Sequence, residues 1–320
     1  MTSRNLPAAL VAARDRLLEG VSRRDLRQQA AELSLRYRTV AGSHARAEEV
    51  LSYTVTRMPA TYAAVSAVLD ELNRRVPTFA PTSLLDLGSG PGTAAWAAVT
   101  TFETLACVTM VEEELAFRAL AARLVDGHAL LERATISQAN LERQPELAGQ
   151  YNLVTAAFML AEISAQRLAA VIEGAWKATS DVLVLVEPGT PAGFARLRSA
   201  REQIIASGGH VIAPCPHQSA CPMAGNDWCH FAVRLPRDRE HRQVKGVDVP
   251  FEDEKYAYLV LARKPATAIL GRVLRPPRVD KVAAAATICG KGQIEERRVL
   301  SRHRDEYRVA RNWRWGDAIT

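Results

Sequence analysis

Residues 83–96 read SLLDLGSGPGTAAW, a short apolar run followed by three glycines and then a helical pattern. Gly88, Gly90 and Gly92 permit a tight turn and let a ligand approach the backbone closely. The helix after them presents unpaired N–H groups in its first turn, which favour a polar or anionic ligand. This stretch therefore predicts a strand, a loop and a helix that together bind a nucleotide-like cofactor.

The spacing of the glycines bears on which cofactor that is. A dinucleotide-binding loop expects a small residue, usually glycine, three positions after Gly90, where Thr93 stands. Here the glycines are two residues apart, and Asp86 comes before them at the strand end. That arrangement resembles motif I of S-adenosylmethionine-dependent methyltransferases. An NAD-type loop and a purely structural turn remain the alternatives.

Two further residues are candidates for cofactor contacts. Glu112 follows the second predicted strand, where an acid accepts both ribose hydroxyls in either cofactor class. Asn140 follows the third strand and is a candidate for the adenine amino group, or equally for a cap of the next turn. The predicted cofactor site comprises Asp86, Gly88, Ser89, Gly90, Gly92, Glu112 and Asn140.

Apolar runs alternate with helical patterns around this loop, which predicts a parallel sheet with helices on both faces. The predicted strands are 83–87, 105–111, 135–138, 152–157, 182–186 and 256–261. We place this α/β domain at 81–263, after a helical N-terminal region at 1–80. Residues 264–320 predict a strand or two, a glycine-containing turn and a final helix.

The composition limits the classes of protein that fit. With 320 residues and 48% hydrophobic composition, the chain can bury a large core and a smaller module. It begins with no secretory pattern, and no apolar run approaches the ~20 residues that span a bilayer. We expect a soluble, cytoplasmic protein without membrane contact, monomeric when free. Its five cysteines would then be reduced, which favours metal or redox use of any cluster.

The fourth predicted strand and the segment after it, YNLVTAAFMLAEI at 151–163, lack the expected acceptor-site residues. Methyltransferases that modify exocyclic amines carry Asn or Asp, two prolines and an aromatic residue there. This chain has Ala156, Ala157, Phe158 and Met159 instead. Cys107, inside an apolar strand, is expected to be a buried, inert thiol. Methyl transfer to a good nucleophile can still rely on proximity and orientation.

The sequence CPHQSACPMAGNDWCH at 215–230 gathers three of the five cysteines, Cys215, Cys221 and Cys229. None are spaced as in a tight metal knuckle, so a fourth ligand must come from elsewhere. Cys289, beside Gly290, is the candidate, and four thiolates suit an iron–sulfur cluster or zinc. His217 or His230 could replace a thiolate or hydrogen-bond behind the ligands. Scattered reduced cysteines are the alternative.

Several motifs together resemble one family. They are LLDLGSGPGTA, LVEPGTPAGF, APCPHQSACPMAGNDWCHF, FEDEKYAYLVLAR and RVLRPPRVDK, and the resemblance runs from about residue 45 to the end. The chain is similar to methyltransferase-like proteins that associate with the small ribosomal subunit, known in mitochondria and with bacterial relatives. The resemblance implies a class I, Rossmann-like methyltransferase fold, with a cysteine-rich insertion at 213–250 and a role in small-subunit assembly or translation. It also implies a 4Fe-4S cluster, structural or redox-sensitive, on Cys215, Cys221, Cys229 and Cys289.

The last part of the chain is basic. Residues 263–320 hold 14 Lys and Arg against 6 Asp and Glu, which favours a polyanion partner over a merely solvated face. The predicted RNA contacts are a row of cations in an extended stretch and three arginines on one helical face: Arg272, Arg275, Arg278 and Lys281, then Arg304, Arg308 and Arg311. Tyr307, Trp313 and Trp315 lie among them, either to stack on bases or to dock this segment onto the core.

Two functions are consistent with these features. One is an S-adenosylmethionine-dependent methyltransferase that acts on small-subunit ribosomal RNA, which the complete glycine loop and Glu112 favour. The other is a non-catalytic, iron–sulfur, RNA-binding assembly factor that retains the methyltransferase fold, which the featureless fourth-strand end favours. We expect the enzyme, with S-adenosylmethionine and a 4Fe-4S cluster, or zinc, as its bound groups.

Overall fold

A computed structural model describes residues 5–39 and 49–320. Its helices have the following bounds: α1 Ala8–Leu18, α2 Arg23–Thr39, α3 Val50–Thr56, α4 Met58–Arg75, α5 Thr93–Thr101, α6 Leu115–Leu124, α7 Leu168–Lys177, α8 Pro191–Ala206, α9 Arg239–Lys245 and α10 Arg304–Ala310. Among the described helices, none combines the length and the apolar character that crossing a membrane requires.

The central element is an eight-stranded sheet in the order β3-β2-β1-β4-β5-β8-β6, with β7 paired to β8. Its strands are β1 Ser83–Leu87, β2 Cys107–Val111, β3 Thr135–Ser137, β4 Tyr151–Ala157, β5 Thr179–Pro188, β6 His210–Ala213, β7 Phe231–Pro236 and β8 Phe251–Ala262. The first five are parallel, whereas β8 runs antiparallel to β5, β6 and β7. The predicted Rossmann-like α/β sheet is confirmed.

Parts of this sheet differ from the strands that the sequence predicts. The predicted strand at 256–261 is the buried second half of β8. The first half of β8 pairs with β7 outside the parallel core. That first half alternates half-buried and exposed residues from Phe251 to Lys255, so it lacks the continuous apolar run that marks a buried strand. The predicted strand 105–111 begins only at Cys107, and that thiol is exposed rather than buried, because it lies at the first position of β2.

Each face of the sheet has its own apolar core. On one face, α4 and α5 pack with fully buried Tyr62, Leu69 and Trp96. On the other, α7 and α8 cover Leu183, Leu185 and their neighbours. The predicted helical preface forms α1 to α4, and Pro59 stands at the start of α4, where its missing N–H costs nothing.

The C-terminal part forms a second, five-stranded sheet, larger than the strand or two predicted. Its strands are β9 Gly271–Val273, β10 Arg278–Val279, β11 Ala283–Gly290, β12 Gln293–Leu300 and β13 Ala318–Ile319, with β11 at the centre. Lys291 and Gly292, with φ of 50° and 78°, form the two-residue turn between β11 and β12. Such a turn suits a tight hairpin, which is why glycine follows the lysine there. The predicted final helix is α10.

Candidate functional sites: the cofactor cleft and the cysteine cavity

The glycine loop connects β1 to α5 with all three glycines in the left-handed region, at φ of 58°, 52° and 81° for Gly88, Gly90 and Gly92. A Cβ added to Gly88 would lie 2.7 Å from the Cβ of Met159, so that residue must be glycine for space as well as for conformation. A Cβ on Gly90 would meet no described atom within 4 Å. Gly90 therefore presents open backbone to whatever occupies the space beside it.

That space is a cleft of about 980 Å³, at the upper end of the range for small-molecule sites. Gly88, Gly90 and Glu112 line it, together with Phe158 and Met159 from the segment after β4. Helices α2, α3 and α9 form the opposite wall. The cleft thus lies at the carboxyl ends of the parallel strands, where open α/β sheets bind their ligands.

Glu112 closes the loop side of the cleft. Its carboxylate accepts the N–H of Gly90 at 2.8 Å and the N–H of Glu114 at 2.9 Å. Burial raises the pKa of this carboxyl above its usual value, while the two backbone N–H groups oppose the rise. The acid predicted to hold the ribose therefore lies against the glycine loop, at the edge of the cleft.

Asp86 supports the loop from below. It is buried, accepts the Thr155 hydroxyl at 2.7 Å and the Ala95 N–H at 3.2 Å, and so joins β1 to β4 and to the first turn of α5. Burial raises the pKa of its carboxyl to about 7. The hydroxyls of Ser89 and Thr93 are also buried here and have no hydrogen-bond partner among the described residues. Neither of these two residues lines the cleft itself.

Asn140 has local partners. Its amide donates to the Glu113 carboxylate at 2.5 Å, and its side-chain oxygen accepts the N–H of Arg143 at 2.8 Å. These are the contacts of a residue that caps the turn after it, and Asn140 is not among the residues that line the cleft. Its contact with an adenine remains a prediction.

The segment after β4 holds an unusual backbone. Phe158 lies in the left-handed region at φ 59°, where a residue with a side chain is uncommon. Its N–H donates to the Val186 carbonyl at 2.7 Å, and the next turn is held by Glu187, which accepts the Leu160 N–H at 3.2 Å. The arrangement fixes Phe158 and Met159 beside the glycine loop, and strain of this kind gathers at functional sites.

Glu187 was not among the site residues predicted from the sequence. It is fully buried at the end of β5 and pairs with Arg196 of α8 at 2.7 Å. Burial raises the pKa of its carboxyl to about 7, against the opposing effect of Arg196. The motif LVEPG contained the only available signal, an acid between an apolar strand and a proline-glycine turn.

The four predicted cysteine ligands line one cavity, separate from the cofactor cleft. Cys215 follows β6, Cys221 lies in the irregular segment after it, Cys229 precedes β7, and Cys289 lies in β11 of the second sheet. The structure therefore brings Cys289 back to the other three across a long stretch of sequence. His217 also lines the cavity, with its Nε2 3.6 Å from the Cys289 Sγ.

The two candidate histidines differ in position. His230 is not among the cavity residues; it stacks on Trp228 and meets Trp315 edge-on. His217 is therefore the histidine that is placed to replace a thiolate. In the described ranges, no group of three or more His, Cys, Asp or Glu side chains is arranged as the ligands of a single ion.

The cavity disfavours free thiolates. Burial raises the pKa of the Cys215 and Cys229 thiols, and raises that of Cys289 to about 12. The nearby guanidinium of Arg201 opposes the rise at Cys215. Four thiols that line one buried cavity are the donor set that a metal–thiolate centre requires, and a metal that bound them would have to displace the protons that burial retains.

Arg272, one of the predicted RNA contacts, is placed differently from the rest. Its side chain is 1% exposed and pairs with Glu71 of α4 at 2.6 Å. It also donates to the carbonyls of Pro214 and Gly316, each at 2.8 Å. The prediction that Arg272 binds RNA is therefore wrong: the residue lies in β9 with its side chain buried, and its charge is already balanced.

The other predicted RNA contacts reach the surface to different degrees. Arg275 is half-buried and pairs with Asp227, and Arg278 is 81% exposed beside Glu296. Lys281, Arg304, Arg308 and Arg311 are exposed. The aromatic residues among them are docked instead: Trp313 packs against both apolar clusters of the second sheet, and Trp315 packs against the main core.

The sheet order and the glycine loop define a methyltransferase-like protein of class I. The chain belongs to the family described as mitochondrial small ribosomal subunit Rsm22, whose model matches residues 47–320. The resemblance inferred from the sequence motifs is confirmed. The chain is 30% identical to the human "Ribosome assembly protein METTL17, mitochondrial", over 84% of this chain and 62% of that protein. It is 26% identical to the "Rsm22-cox11 tandem protein 2, mitochondrial" of Schizosaccharomyces pombe, over 84% of this chain and 43% of that protein.

Methyltransferases of known structure are less similar to this chain in sequence. The magnesium protoporphyrin IX methyltransferase of Synechocystis is 12% identical with a TM-score of 0.43, over 81% of this chain and 98% of that one. The precorrin-6y C5,15-methyltransferase of Geobacter metallireducens is 13% identical with a TM-score of 0.42, over 63% and 86%.

The relatives correct the expected location. The prediction of a cytoplasmic location is contradicted, since the family description and the human and fission yeast relatives are mitochondrial. The chain also spans less than two thirds of the length of these curated relatives.

Proposed function

We propose that this protein binds S-adenosylmethionine in the cleft beside Gly90 and methylates RNA of the small ribosomal subunit during subunit assembly. The observation that carries the proposal is the glycine loop, which opens on a large cleft with Glu112 at its edge. Membership of a small-subunit family supplies the substrate class. The wall formed by α2, α3 and α9 would exclude water from a bound cofactor.

S-adenosylmethionine, when bound, supplies an electrophilic methyl group. The chain's part is to hold and orient. Gly88 and Gly90 would let the cofactor approach the loop, the Glu112 carboxylate would accept hydrogen bonds from the hydroxyls of a ribose, and Phe158 would offer an aromatic face at the acceptor end of the cleft. Proximity and orientation then account for the rate, because no amide or imidazole among the described cleft residues holds an incoming amine.

The same acceptor end favours a second candidate, an assembly factor that binds the cofactor but transfers nothing. Glu162 lines the cleft with Phe158, whereas the buried acid Glu187 does not and is engaged by Arg196 and the Leu160 N–H rather than free to take a proton. In this function the cofactor would stabilise a conformation that the ribosomal subunit recognises.

The cysteine cavity holds, in this proposal, a 4Fe-4S cluster on Cys215, Cys221, Cys229 and Cys289, with zinc as the alternative. The support is the convergence of these four cysteines on one cavity. With every ligand a thiolate, the centre has no open position for substrate, so its part is structural: it would join the 213–250 insertion to the second sheet. The exposed cations of the second sheet and α10 would contact ribosomal RNA.

Methyl transfer with purified components tests the enzyme directly. We expect labelled methyl from S-adenosylmethionine to appear in protein-free or partly assembled small-subunit RNA, and the Gly90→Trp variant to abolish it. Cofactor binding without transfer to any assembly intermediate would overturn the enzyme and leave the assembly factor.

A further inference from the structure

Arg201 is a buried cation that no carboxylate neutralises in the part of the chain that the structure describes. It lies in α8 and is 3% exposed. Its Nη2 donates to two neutral acceptors, the carbonyls of His217 at 3.0 Å and Ser219 at 2.6 Å. Its Nε has no hydrogen-bond partner among the described residues. A charge in such a place is costly unless an anion accompanies it.

Arg272, the other buried arginine in the wall of the same cavity, differs from Arg201 because it has a carboxylate partner. Arg272 pairs with Glu71, so its charge is balanced inside the protein. Arg201 therefore contributes a buried, uncompensated positive charge to the cavity wall, whereas Arg198, which also lines the cavity, is exposed to solvent. The four cysteines that line the same cavity are neutral as thiols.

A metal centre would supply the missing anion. Thiols lose their protons when they ligate a metal, and a dicationic centre held by four thiolates keeps two negative charges. This is the charge of a four-thiolate zinc site and of an oxidised 4Fe-4S cluster alike. A buried guanidinium with an unused N–H is a suitable partner for either, since hydrogen bonds that involve an ion are the stronger ones.

We propose that Arg201 is the counter-ion of the metal–thiolate group in the cysteine cavity and donates its Nε–H to one of that group's sulfur atoms. The inference rests on the metal centre proposed above. Arg201 is a positioning residue here and not a ligand. The two carbonyls that its Nη2 contacts, at His217 and Ser219, hold the guanidinium in place between the ligands Cys215 and Cys221 along the chain.

The test compares Arg201→Met, Arg201→Lys and a control, Arg123→Met, which removes an exposed arginine of α6 that does not line the cavity. Each is purified without oxygen, and its iron, sulfide and zinc are measured before and after challenge with a chelator. We expect Arg201→Met to bind metal about 10- to 100-fold more weakly. Arg201→Lys should lie in between, and Arg123→Met should match the wild type. If iron is present, Arg201→Met should also lower the reduction potential, because the missing charge stabilised the added electron.

Unfolding of the metal-free proteins separates this role from a purely structural one. Without metal, the Arg201 charge is unbalanced, so metal-free Arg201→Met should be at least as stable as metal-free wild type, whereas with metal it should be less stable. Equal metal retention and equal potential would overturn the inference, and so would the same loss of stability in both forms. A wild-type protein without metal would instead overturn the metal centre itself, and the role of Arg201 with it.

Discussion

Arg272 of the second sheet and Glu71 of α4 form a buried ion pair, 2.6 Å from Nη2 to Oε1. It joins two parts of the chain that lie about 200 residues apart. Because Arg272 also donates to Pro214 and Gly316, one side chain connects the N-terminal helices, the cysteine segment and the C-terminus. The second sheet is thereby held at the wall of the cysteine cavity.

Removing one partner of this pair should be costly. We expect Arg272→Met to lower the free energy of unfolding by about 1–3 kcal/mol, since it leaves two carbonyls without their donor, while Arg74 still donates to the Glu71 carboxylate. The double variant Arg272→Met/Glu71→Leu should recover part of the loss. Urea unfolding of both variants measures the effect. The exposed Arg278→Met is the control, and it should cost about 1 kcal/mol or less. A single variant no less stable than the control would contradict the account.

The cofactor site can be tested by filling the space beside Gly90. Calorimetry should show that S-adenosylmethionine binds the wild type and that Gly90→Trp abolishes binding. Gly208→Trp is a matched control, because Gly208 also has a positive φ and open space around it, but lies in the turn after α8. Binding of NADH in place of S-adenosylmethionine would show instead that the loop takes a dinucleotide.

Metal content should depend on all four cavity cysteines. We expect about four irons and four sulfides in each anaerobically purified chain. Cys289→Ser and Cys221→Ser should lose iron and stability alike, and Cys107→Ser, on an exposed thiol of β2, should lose neither. One tightly held zinc, or full iron in Cys289→Ser, would refute the cluster assignment and make His217 the candidate ligand.

RNA binding should depend on the exposed arginines of α10 and the residue after it. Changing Arg304, Arg308 and Arg311 to glutamine should weaken binding of small-subunit RNA and reduce its salt dependence, by about one unit of slope for each phosphate that is no longer neutralised. Glutamine at Arg16, Arg123 and Arg133, exposed on or near α1 and α6, controls for total charge. If both variants show the same reduction in salt dependence, these arginines do not mark the RNA site.

The buried carboxyl of Asp86 predicts a pH dependence of stability. Its folded pKa is about 7, above the ordinary 3.8, so the folded state binds the proton more tightly. The protonated carboxyl therefore contributes fully to the stability of the folded state at low pH. As the pH rises from about 4 to 7 this contribution is lost, and the free energy of unfolding falls by about 4 kcal/mol at most. Asp86→Asn should flatten this part of the stability profile in denaturant titrations. An unchanged profile would mean that Asp86 is ionised in the folded protein.

The features that the sequence predicted well are local. The glycine loop depends on neighbouring residues, and so does the strand before it. The clustering of Cys215, Cys221 and Cys229 is likewise visible as short spacing. Cys289 was assigned through family resemblance, because nothing near it in the sequence shows that β11 returns to the cavity.

The errors arise where burial depends on distant segments. A cation at every third position predicts an exposed row, but Arg272 becomes buried because Glu71, far along the chain, supplies its counter-charge. The unbalanced charge of Arg201 could not be predicted for the same reason: a basic residue in a helix looks exposed until the packing of the cysteine segment covers it. Cys107 differs in that its exposure follows from its place at the strand end.

Mass spectrometry of small-subunit RNA is the direct test of the proposed methyl transfer. RNA from cells with the gene, without it, and with the Gly90→Trp variant is digested and compared nucleotide by nucleotide. We expect one methylated nucleotide that is present only with the wild-type gene. Identical RNA from all three strains, despite cofactor binding by the purified protein, would contradict it.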